Sequence, residues 1–249
     1  MKAKGKSLKR GGAGGQGKPR ERRILVVDVG GTNVKVRISG SEDVHRIPSG
    51  RKMTAERMTS AVLALARTWK YDAVSIGYPG MVYRNHPVVE PVNLGSGWVG
   101  YDFARAFGRP VKIVNDAAMQ ALGSYRGGKM LFLGLGTGLG TAVVWDGTLE
   151  PMELGHLHYK KGRTFEGYLG LRGLDRLGKK KWRESVADVV KRLKKAFGVD
   201  EVVLGGGHAK LLEEAPPGAR LGDNANAFAG GFSLWANDPG RGVRSVIGQ

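Results

Sequence analysis

The sequence predicts an α/β fold of two lobes with a cleft between them, and three observations predict it. Two apolar runs, at 24–36 and 131–144, are each interrupted by a glycine-rich turn. The order strand, strand, strand, helix, strand, helix occurs once in each half of the chain. The length of 249 residues is enough for one large domain or two small lobes. A unit repeated in this way is expected to form two similar lobes, with ligands bound between them.

The first half is predicted to fold as one such unit. Its strands are short β-branched runs, and its first helix carries Met58, Val62 and Leu65 on one face. Thr54 is the expected N-cap of that helix. In chain order, the predicted elements are strands Ile24–Val29, Val34–Ile38 and Val44–Ile47, a helix from Thr54 to Trp69, strand Ala73–Ile76, helix Tyr101–Phe107, strand Val111–Val114 and a helix from Asp116 to about Tyr125.

The second half repeats this order from residue 130 onward. Asp146 and Gly147 are expected to turn the chain into the third strand of this unit. The predicted elements are strands Met130–Leu133 and Thr141–Trp145, a third strand after Gly147, a helix near Glu184–Phe197, strand Val202–Leu204, a helix to about Glu213 and a last helix at Ala225–Trp235.

Composition excludes several classes of protein. There is no apolar run of about 18 residues, so no membrane span is expected. The absence of cysteine excludes disulfides and thiolate metal sites, and it is compatible with a cytoplasmic protein. Residues 1–23 are basic and have too few apolar side chains to bury, which predicts a disordered tail. That tail is either a solvated segment or a contact for nucleic acid or polyphosphate.

A second concentration of positive charge lies inside the predicted folded body. The chain carries 40 Lys and Arg against 22 Asp and Glu, a net charge of +18. Only Glu166 and Asp175 accompany this cluster in sequence, and such like charges repel one another unless an anion is bound. The cluster consists of Lys160, Lys161, Arg163, Arg172, Arg176, Lys179, Lys180, Lys181 and Arg183.

The glycine turns fit phosphate binding better than nucleotide motifs of other folds. Each is followed by a returning strand rather than a helix, which excludes a dinucleotide fingerprint, and no P-loop is present. A turn with only a structural role is the alternative for either one. Asp28 ends a buried apolar run, where a carboxylate needs a partner such as a hydrated metal ion. Two turns that aim backbone N–H groups at phosphates indicate phosphoryl transfer.

Four motifs together resemble the sugar kinases of the actin/hexokinase superfamily, whose fold is a duplicated, ribonuclease H-like one. They are Asp28-Val29-Gly30-Gly31-Thr32, Asn115-Asp116-Ala117, the glycine-rich stretch 134–140, and Gly205-Gly206-Gly207. Glu153-Leu154-Gly155-His156 is similar to an element of the ROK family. The segment from Lys160 to Trp182 resembles the polyphosphate glucokinases within that family. The resemblance covers residues 24–236. It implies a small lobe at 24–115 completed by the helix at 225–236, a large lobe at 116–224, and a flexible C-terminal tail at 237–249.

The resemblance also implies a role for individual residues. Asp116 would be the base that accepts the proton of the sugar 6-hydroxyl, with a helix N-cap as the alternative role. Asp28 would orient Mg²⁺ through water. The implied donor-phosphate residues are Asp28, Gly30, Gly31, Thr32, Lys35, Gly136, Thr137, Gly138, Gly205 and Gly206. The implied sugar-binding residues are Gly80, Asn93, Asn115, Asp116, Glu153, His156 and Glu166. The polyphosphate groove would consist of Lys160, Lys161, Arg163, Lys179, Lys180 and Lys181.

The chain departs from most ROK kinases in lacking the three cysteines of their zinc site. His156 is therefore expected to contact substrate rather than zinc, although a buried histidine with a structural role is the alternative. The expected activity is phosphorylation of glucose, with mannose as an open alternative, by polyphosphate, ATP or both. An ATP-only hexokinase, a sugar-binding regulator and a nucleic-acid-associated protein are the competing hypotheses. A homodimer is expected, with nucleic acid bound only non-specifically by the tail.

Overall fold

The structure, a computed structural model, describes residues 22–223 and 225–236, together with the backbone of 244–245. Its strands are β1 Ile24–Val29, β2 Asn33–Ile38, β3 His45–Pro48, β4 Ala73–Tyr78, β5 Val82–Tyr83, β6 His86–Pro87, β7 Val111–Asn115, β8 Lys129–Leu135, β9 Leu139–Trp145, β10 Thr148–Met152, β11 His158–Lys160, β12 Arg163–Thr164, β13 Glu201–Gly205, β14 Ala219–Leu221 and β15 Arg244–Ser245. Its α-helices are α1 Ala55–Leu65, α2 Phe103–Phe107, α3 Asp116–Ser124, α4 Glu166–Leu169, α5 Leu171–Phe197 and α6 Asn226–Ser233. Two single 3-10 turns lie at Leu154–His156 and Ala209–Leu211.

The predicted duplication is confirmed by the topology of the two main sheets. The first sheet has the order β3-β2-β1-β4-β7. The second has the order β14-β13-β8-β9-β10, with β15 added at its edge. In each sheet the first three strands form an antiparallel meander, and the later two run parallel to the first strand. The carboxyl ends of parallel strands in such sheets are where ligands bind.

The core consists of three apolar clusters, which separate the molecule into layers. Alternate residues of β1 point to opposite faces, so Leu25 and Val27 pack with α1 and α2, while Ile24 and Val26 face α3 and α6. The second sheet divides in the same way between the side of α3 and the side of α5. Helices α3 and α6 therefore lie between the two sheets, where both of their faces are covered.

Helices α3 and α6 cross at unusually close range because glycines lie at the contact. A Cβ at Gly123 would overlap the carbonyl oxygen of Asn226, and one at Gly230 would overlap that of Met119. Ala227 is fully buried in the same layer. The two backbones thus touch without intervening side chains.

The basic helix α5 begins earlier than the sequence predicted. It starts at Leu171 rather than near Glu184, and it is broken at Gly178, whose φ of 72° and ψ of 161° are not helical. Trp182 is fully buried just after the break, and its indole N–H donates to the Leu169 carbonyl at 2.9 Å. The helix therefore begins again at the three lysines 179–181, and the buried Trp182 holds this second part in place.

Two other expectations need correction. The helix predicted up to about Glu213 is only the single 3-10 turn Ala209–Leu211, because Pro216 and Pro217 follow closely and favour extended backbone before them. Arg22 and Arg23, assigned by sequence to the disordered tail, contact the folded part. The Arg23 N–H donates to Asp72 at 2.8 Å, and the Arg22 guanidinium lies 5.4 Å from the Trp235 ring.

Most of the two predicted tails lies outside the described residues. The tail at residues 1–21 lies outside the described residues. The same holds for 237–243 and 246–249 in the predicted C-terminal tail. Within the described residues, no helix has the length and apolar character needed to cross a membrane.

Candidate active site

A partly buried ion pair lies near the turn of the first hairpin. Asp28, on β1, is 6% exposed, and its carboxylate Oδ2 lies 3.0 Å from the Nζ of Lys35 on β2. The two residues are direct cross-strand partners, so the hairpin register itself brings them together. Among the described residues, Asp28 Oδ1 has no hydrogen-bond partner. One carboxylate oxygen therefore stays available at the end of the strand.

Asp116 is the first residue of α3 and follows directly from β7. The alternative role as N-cap belongs instead to Asn115, whose Oδ1 accepts the N–H groups of Ala117 and Ala118 at 3.0 and 3.2 Å. Asp116 Oδ1 accepts the Ala117 N–H at 2.8 Å. Asn115 therefore caps the helix. Asp116 Oδ2 has no partner among the described residues, so it is free to accept a proton.

The surroundings of Asp116 make it a weak acid. Burial of the carboxyl and, second, the nearby Asp28 carboxylate raise its pKa to about 7, against the lowering effects of the Ala117 N–H and of Lys35. A base whose pKa is near neutral combines a sizeable ionised fraction with a strong tendency to accept a proton. The three side chains Asp28, Lys35 and Asp116 thus form one electrostatically coupled group.

The two glycine turns keep part of their N–H groups for themselves. The Gly30 N–H donates to the Asn33 carbonyl at 3.0 Å, and the Gly136 N–H donates to that of Gly138 at 3.2 Å. Position 30 also requires glycine, because a Cβ there would lie 2.8 Å from the Asn33 carbonyl oxygen. These two glycines shape their turns, and their N–H groups are not free for phosphate.

Four other backbone N–H groups of the turns are free among the described residues. They belong to Gly31, Thr32, Thr137 and Gly138. The carbonyl of Thr137 accepts the Leu171 N–H at 3.1 Å, which ties the second turn to the start of α5. These four groups could donate to phosphate oxygens.

The second hairpin is placed against the start of α3. A Cβ at Gly140 would lie 2.6 Å from the Ala117 Cβ, and one at Gly134 would lie 3.8 Å from it. The two glycines are direct cross-strand partners. Their lack of side chains lets the residue next to Asp116 pack on the hairpin, so the second sheet sets the position of Asp116.

Several of the predicted sugar-binding residues lie near these elements. Asn115 Nδ2 donates to the Gly80 carbonyl at 3.1 Å, and Asn93 is exposed with its Cβ 3.4 Å from where a Gly31 Cβ would be. Glu166 Oε2 accepts the Leu139 N–H at 3.2 Å, beside Gly138. These contacts bring Asn93 and Glu166 close to the glycine turns and hold Asn115 against the Gly80 backbone.

The side chains of Glu153 and His156 are more exposed to solvent than those of a buried site would be. Their side chains are 49% and 71% exposed, with His156 Nδ1 at 3.9 Å from a Glu153 carboxylate oxygen. The structural alternative of a buried histidine is therefore excluded for His156. The turn that carries them is fixed, because the Leu154 N–H donates to Thr141 Oγ1 at 3.1 Å.

The third glycine turn, Gly205-Gly206, sits beside the second hairpin. Gly205 pairs with Gly134, and Gly206 has a φ of 82° and packs on the Leu135 backbone. Two buried polar atoms next to this turn have no partner among the described residues: Gln120 Oε1 and His208 Nδ1. Sequence reasoning missed both, since neither residue stands in a motif.

The inner basic cluster is partly neutralised by acids that are distant in sequence. Lys160 pairs with Asp188 at 2.8 Å, and Arg183 pairs with Glu213 at 2.5 Å. The unbalanced charge of the cluster is therefore smaller than the nearby acids Glu166 and Asp175 alone predict. Within the described part of the chain, no ion pair forms at Lys161, Arg163, Lys179, Lys180 or Lys181.

The donor set can accommodate a hydrated Mg²⁺. The free oxygen of Asp28 is a hard ligand suited to a hydrated Mg²⁺. Among the described residues, no three His, Cys, Asp or Glu side chains are grouped as a metal cage. The expectation that the protein lacks zinc remains a prediction.

This arrangement defines a two-lobed α/β fold of the actin/hexokinase type. The solved structures that resemble it share that fold. One is the inorganic polyphosphate/ATP-glucomannokinase from Arthrobacter sp. strain KM, with a TM-score of 0.71, 23% identity, and coverage of 85% of this chain and 97% of that one. Another is a ROK family glucokinase from Streptomyces griseus, solved with glucose and AMPPNP, with a TM-score of 0.64, 18% identity, and coverage of 85% and 98%.

The sequence profile of the ROK family matches residues 24–166, more than half of the chain, so the chain belongs to the ROK family. Among curated proteins, it is similar to the polyphosphate glucokinase of Mycobacterium tuberculosis, with 27% identity over 226 residues, 79% of this chain and 82% of that protein. A polyphosphate glucokinase of Mycobacterium leprae is also 27% identical, over 77% of this chain and 65% of that protein.

Proposed function

We propose that the protein phosphorylates the 6-hydroxyl of glucose and takes the phosphoryl group from inorganic polyphosphate, ATP or both. The observation that carries the proposal is the coupled group of Asp28, Lys35 and Asp116 between two glycine turns. The ROK family membership and the names of the relatives support a sugar substrate.

In this mechanism Asp116 accepts the proton of the sugar hydroxyl as that oxygen attacks the terminal phosphorus of the donor. The bond from this phosphorus to the bridging oxygen breaks, which releases ADP or a polyphosphate shortened by one phosphate. Its Oδ1 stays fixed by the Ala117 N–H, so Oδ2 receives the proton. The Gly31, Thr32, Thr137 and Gly138 N–H groups hold the donor phosphates, and Lys35 offsets their charge. Mg²⁺, when bound, would neutralise charge on the phosphate oxygens. Asp28 would hold it through water, using the oxygen that Lys35 does not contact.

Sugar hydroxyls would be held from two directions. Asn93 lies beside the first turn, while Glu166 lies beside the second, with Glu153 and His156 on the adjoining 3-10 turn. Asn115 contributes less than the sequence suggested, because its Oδ1 already accepts two N–H groups of α3. Its main role is to orient Asp116 and the Gly80 backbone.

The three lysines 179–181 support a polyanionic donor. They follow the break at Gly178, so they occupy the first turn of the restarted helix, where the helix dipole disfavours cations. All three are exposed, and none forms an ion pair with a described residue. A bound polyphosphate would offset both the dipole and the mutual repulsion.

The direct test compares polyphosphate and ATP side by side in a coupled assay for glucose 6-phosphate. We expect turnover with glucose and with at least one of the two donors. Replacing Lys179, Lys180 and Lys181 by Gln should raise the apparent KM for long polyphosphate about tenfold more than that for ATP.

A matched control removes the same charge elsewhere. Lys191, Lys195 and Lys210 are also exposed and form no ion pair with a described residue, so their triple Gln variant should keep the wild-type KM for polyphosphate. Equal loss with both donors in the 179–181 variant would show that the cluster is structural. A wild type that uses ATP alone would make the protein an ATP-dependent hexokinase.

A further inference from the structure

A basic cavity lies beside the first glycine turn. Its volume is about 340 Å³, and it is lined by the segment from β3 into α1. Three of its lining side chains are the cations Arg51, Lys52 and Arg57, all of them exposed. The segment lies outside every motif named above.

The charge of this cavity is unbalanced. Its lining contains no acidic residue, whereas two other surface cavities of about 370 and 410 Å³ include Asp43 and Asp72 respectively. Among the described residues, no acid pairs with Arg51, Lys52 or Arg57. Three cations around one cavity repel one another unless an anion is bound between them.

The cavity wall and the glycine turn are joined by hydrogen bonds. Ser49 lines the cavity, its Oγ donates to the Gly30 carbonyl at 2.6 Å, and its N–H donates to the Thr32 carbonyl at 2.9 Å. The far side of the segment is held as well, since the Gly95 N–H donates to the Met53 carbonyl at 2.9 Å. An anion in the cavity would therefore lie next to the phosphates held by the turn.

A row of cations leads from the catalytic group toward this segment. Lys35 pairs with Asp28 on one side and is the direct cross-strand partner of Arg46 on the other. Like charges directly opposite each other destabilise a sheet. Arg46 forms no ion pair within the described part of the chain, and it stands two residues before the first lining residue, Pro48.

We infer that this cavity binds the phosphate units of a linear polyphosphate that follow the unit being transferred. The inference rests on the proposed function and adds a second binding surface for the donor, on the first sheet, separate from the lysines of α5. ATP carries a nucleoside where the longer chain carries further phosphates. The Arg51 and Lys52 cations therefore distinguish a long donor from a short one.

The test measures binding directly, without glucose or turnover. Calorimetry with long-chain polyphosphate, tripolyphosphate and orthophosphate is compared for the wild type and for Arg51→Gln/Lys52→Gln. We expect the variant to bind long-chain polyphosphate at least about tenfold more weakly at low salt. Its plot of log Kd against log salt should be shallower by about 1.4, or about 0.7 for each cation removed. Orthophosphate binding should change little.

The matched control is Arg67→Gln/Lys70→Gln, which removes two exposed cations near the other end of α1. Circular dichroism checks that both variants are folded. The inference is wrong if the two variants bind long-chain polyphosphate equally, or if single-stranded DNA of similar charge loses the same affinity in the Arg51/Lys52 variant. If the wild type forms glucose 6-phosphate from polyphosphate and the Arg51/Lys52 variant does so with an unchanged KM for polyphosphate, only the inference is refuted and the proposed function stands. A wild type that forms none with either donor would refute the proposed function.

Discussion

The two hairpins at the centre of the molecule have the same topology but opposite chemistry. In each hairpin, the cross-strand pair next to the last one before the turn differs. It is Asp28 opposite Lys35 in the first hairpin and Gly134 opposite Gly140 in the second. The first hairpin supplies charge to the site. The second supplies space, because the start of α3 packs where its side chains would be.

The difference shows how a duplicated fold can make one active site. Asp116 lies between the hairpins, and each one acts on it in a different way. On top of the effect of burial, Asp28 raises the pKa of Asp116 and Lys35 lowers it, while Gly140 sets the position of Asp116 through Ala117. Substitutions in the first hairpin should therefore change the chemistry, and substitutions in the second should change the geometry and the stability.

The largest effect on turnover is expected from a substitution of Asp116, on which both hairpins act. Asp116→Asn keeps the shape of the side chain but cannot accept the proton, so kcat should fall by about two to four orders of magnitude. Glucose affinity, measured by calorimetry, should stay close to the wild type. A variant that keeps most of its turnover would show that Asp116 is not the base.

The same variant carries a stability signature. The unfolded chain releases the Asp116 proton from about pH 4 upward, while the folded protein holds it until about pH 7. The wild type therefore loses free energy of unfolding as pH rises through that interval, and Asn removes this loss. The melting temperature of the variant should exceed that of the wild type at pH 8, with a smaller gap at pH 5. A gap that does not depend on pH would contradict the raised pKa.

The second hairpin should fail by geometry. Gly140→Ala places a methyl group 2.6 Å from the Ala117 Cβ, and such overpacking costs about 1–3 kcal/mol. We expect a lower urea midpoint and a lower kcat together. Gly136→Ala is the matched control, because nothing lies within 4 Å of its Cβ, and it should leave the midpoint unchanged. Equal destabilisation by both variants would show that the packing of α3 does not depend on the missing side chain at Gly140.

The smallest effect is a shift in a pH profile. The ionised form of Asp116 is the active one, so kcat should rise with pH and level off above about 7. Asp28→Asn removes the second cause of the raised pKa, so the midpoint of the residual activity should move to lower pH. A midpoint that stays in place or moves upward would show that the two carboxylates are not coupled.

The sequence predicted the parts of the site that are set by local chemistry. Each glycine turn lies between apolar strands, so the hairpins and their register follow from neighbouring residues. Both Asn115 and Asp116 are good N-caps, and only the backbone geometry decides which of them caps α3 and which is free. This could not be read from the order of the two residues.

The basic surface was predicted less well because its partners are far away in the chain. Asp188 and Glu213 lie 28 and 30 residues from Lys160 and Arg183. The early part of α5 was missed because Gly173 and Gly178 are poor helix residues. There, Trp182 packing and the Arg176 contact with the Gly167 carbonyl outweigh local propensity.

The crossing of α3 and α6 has a consequence for synthesis on the ribosome. Ser75 of β4 donates to the Gly231 carbonyl at 2.6 Å and accepts the indole N–H of Trp235 at 2.8 Å. The part of the first sheet around Ser75, which is made early, is therefore covered only after residue 235 has left the exit tunnel. The two sheets cannot mature one after the other, as separate domains do. The apolar surface of the first sheet that α6 covers therefore stays exposed on the nascent chain until α6 has been made.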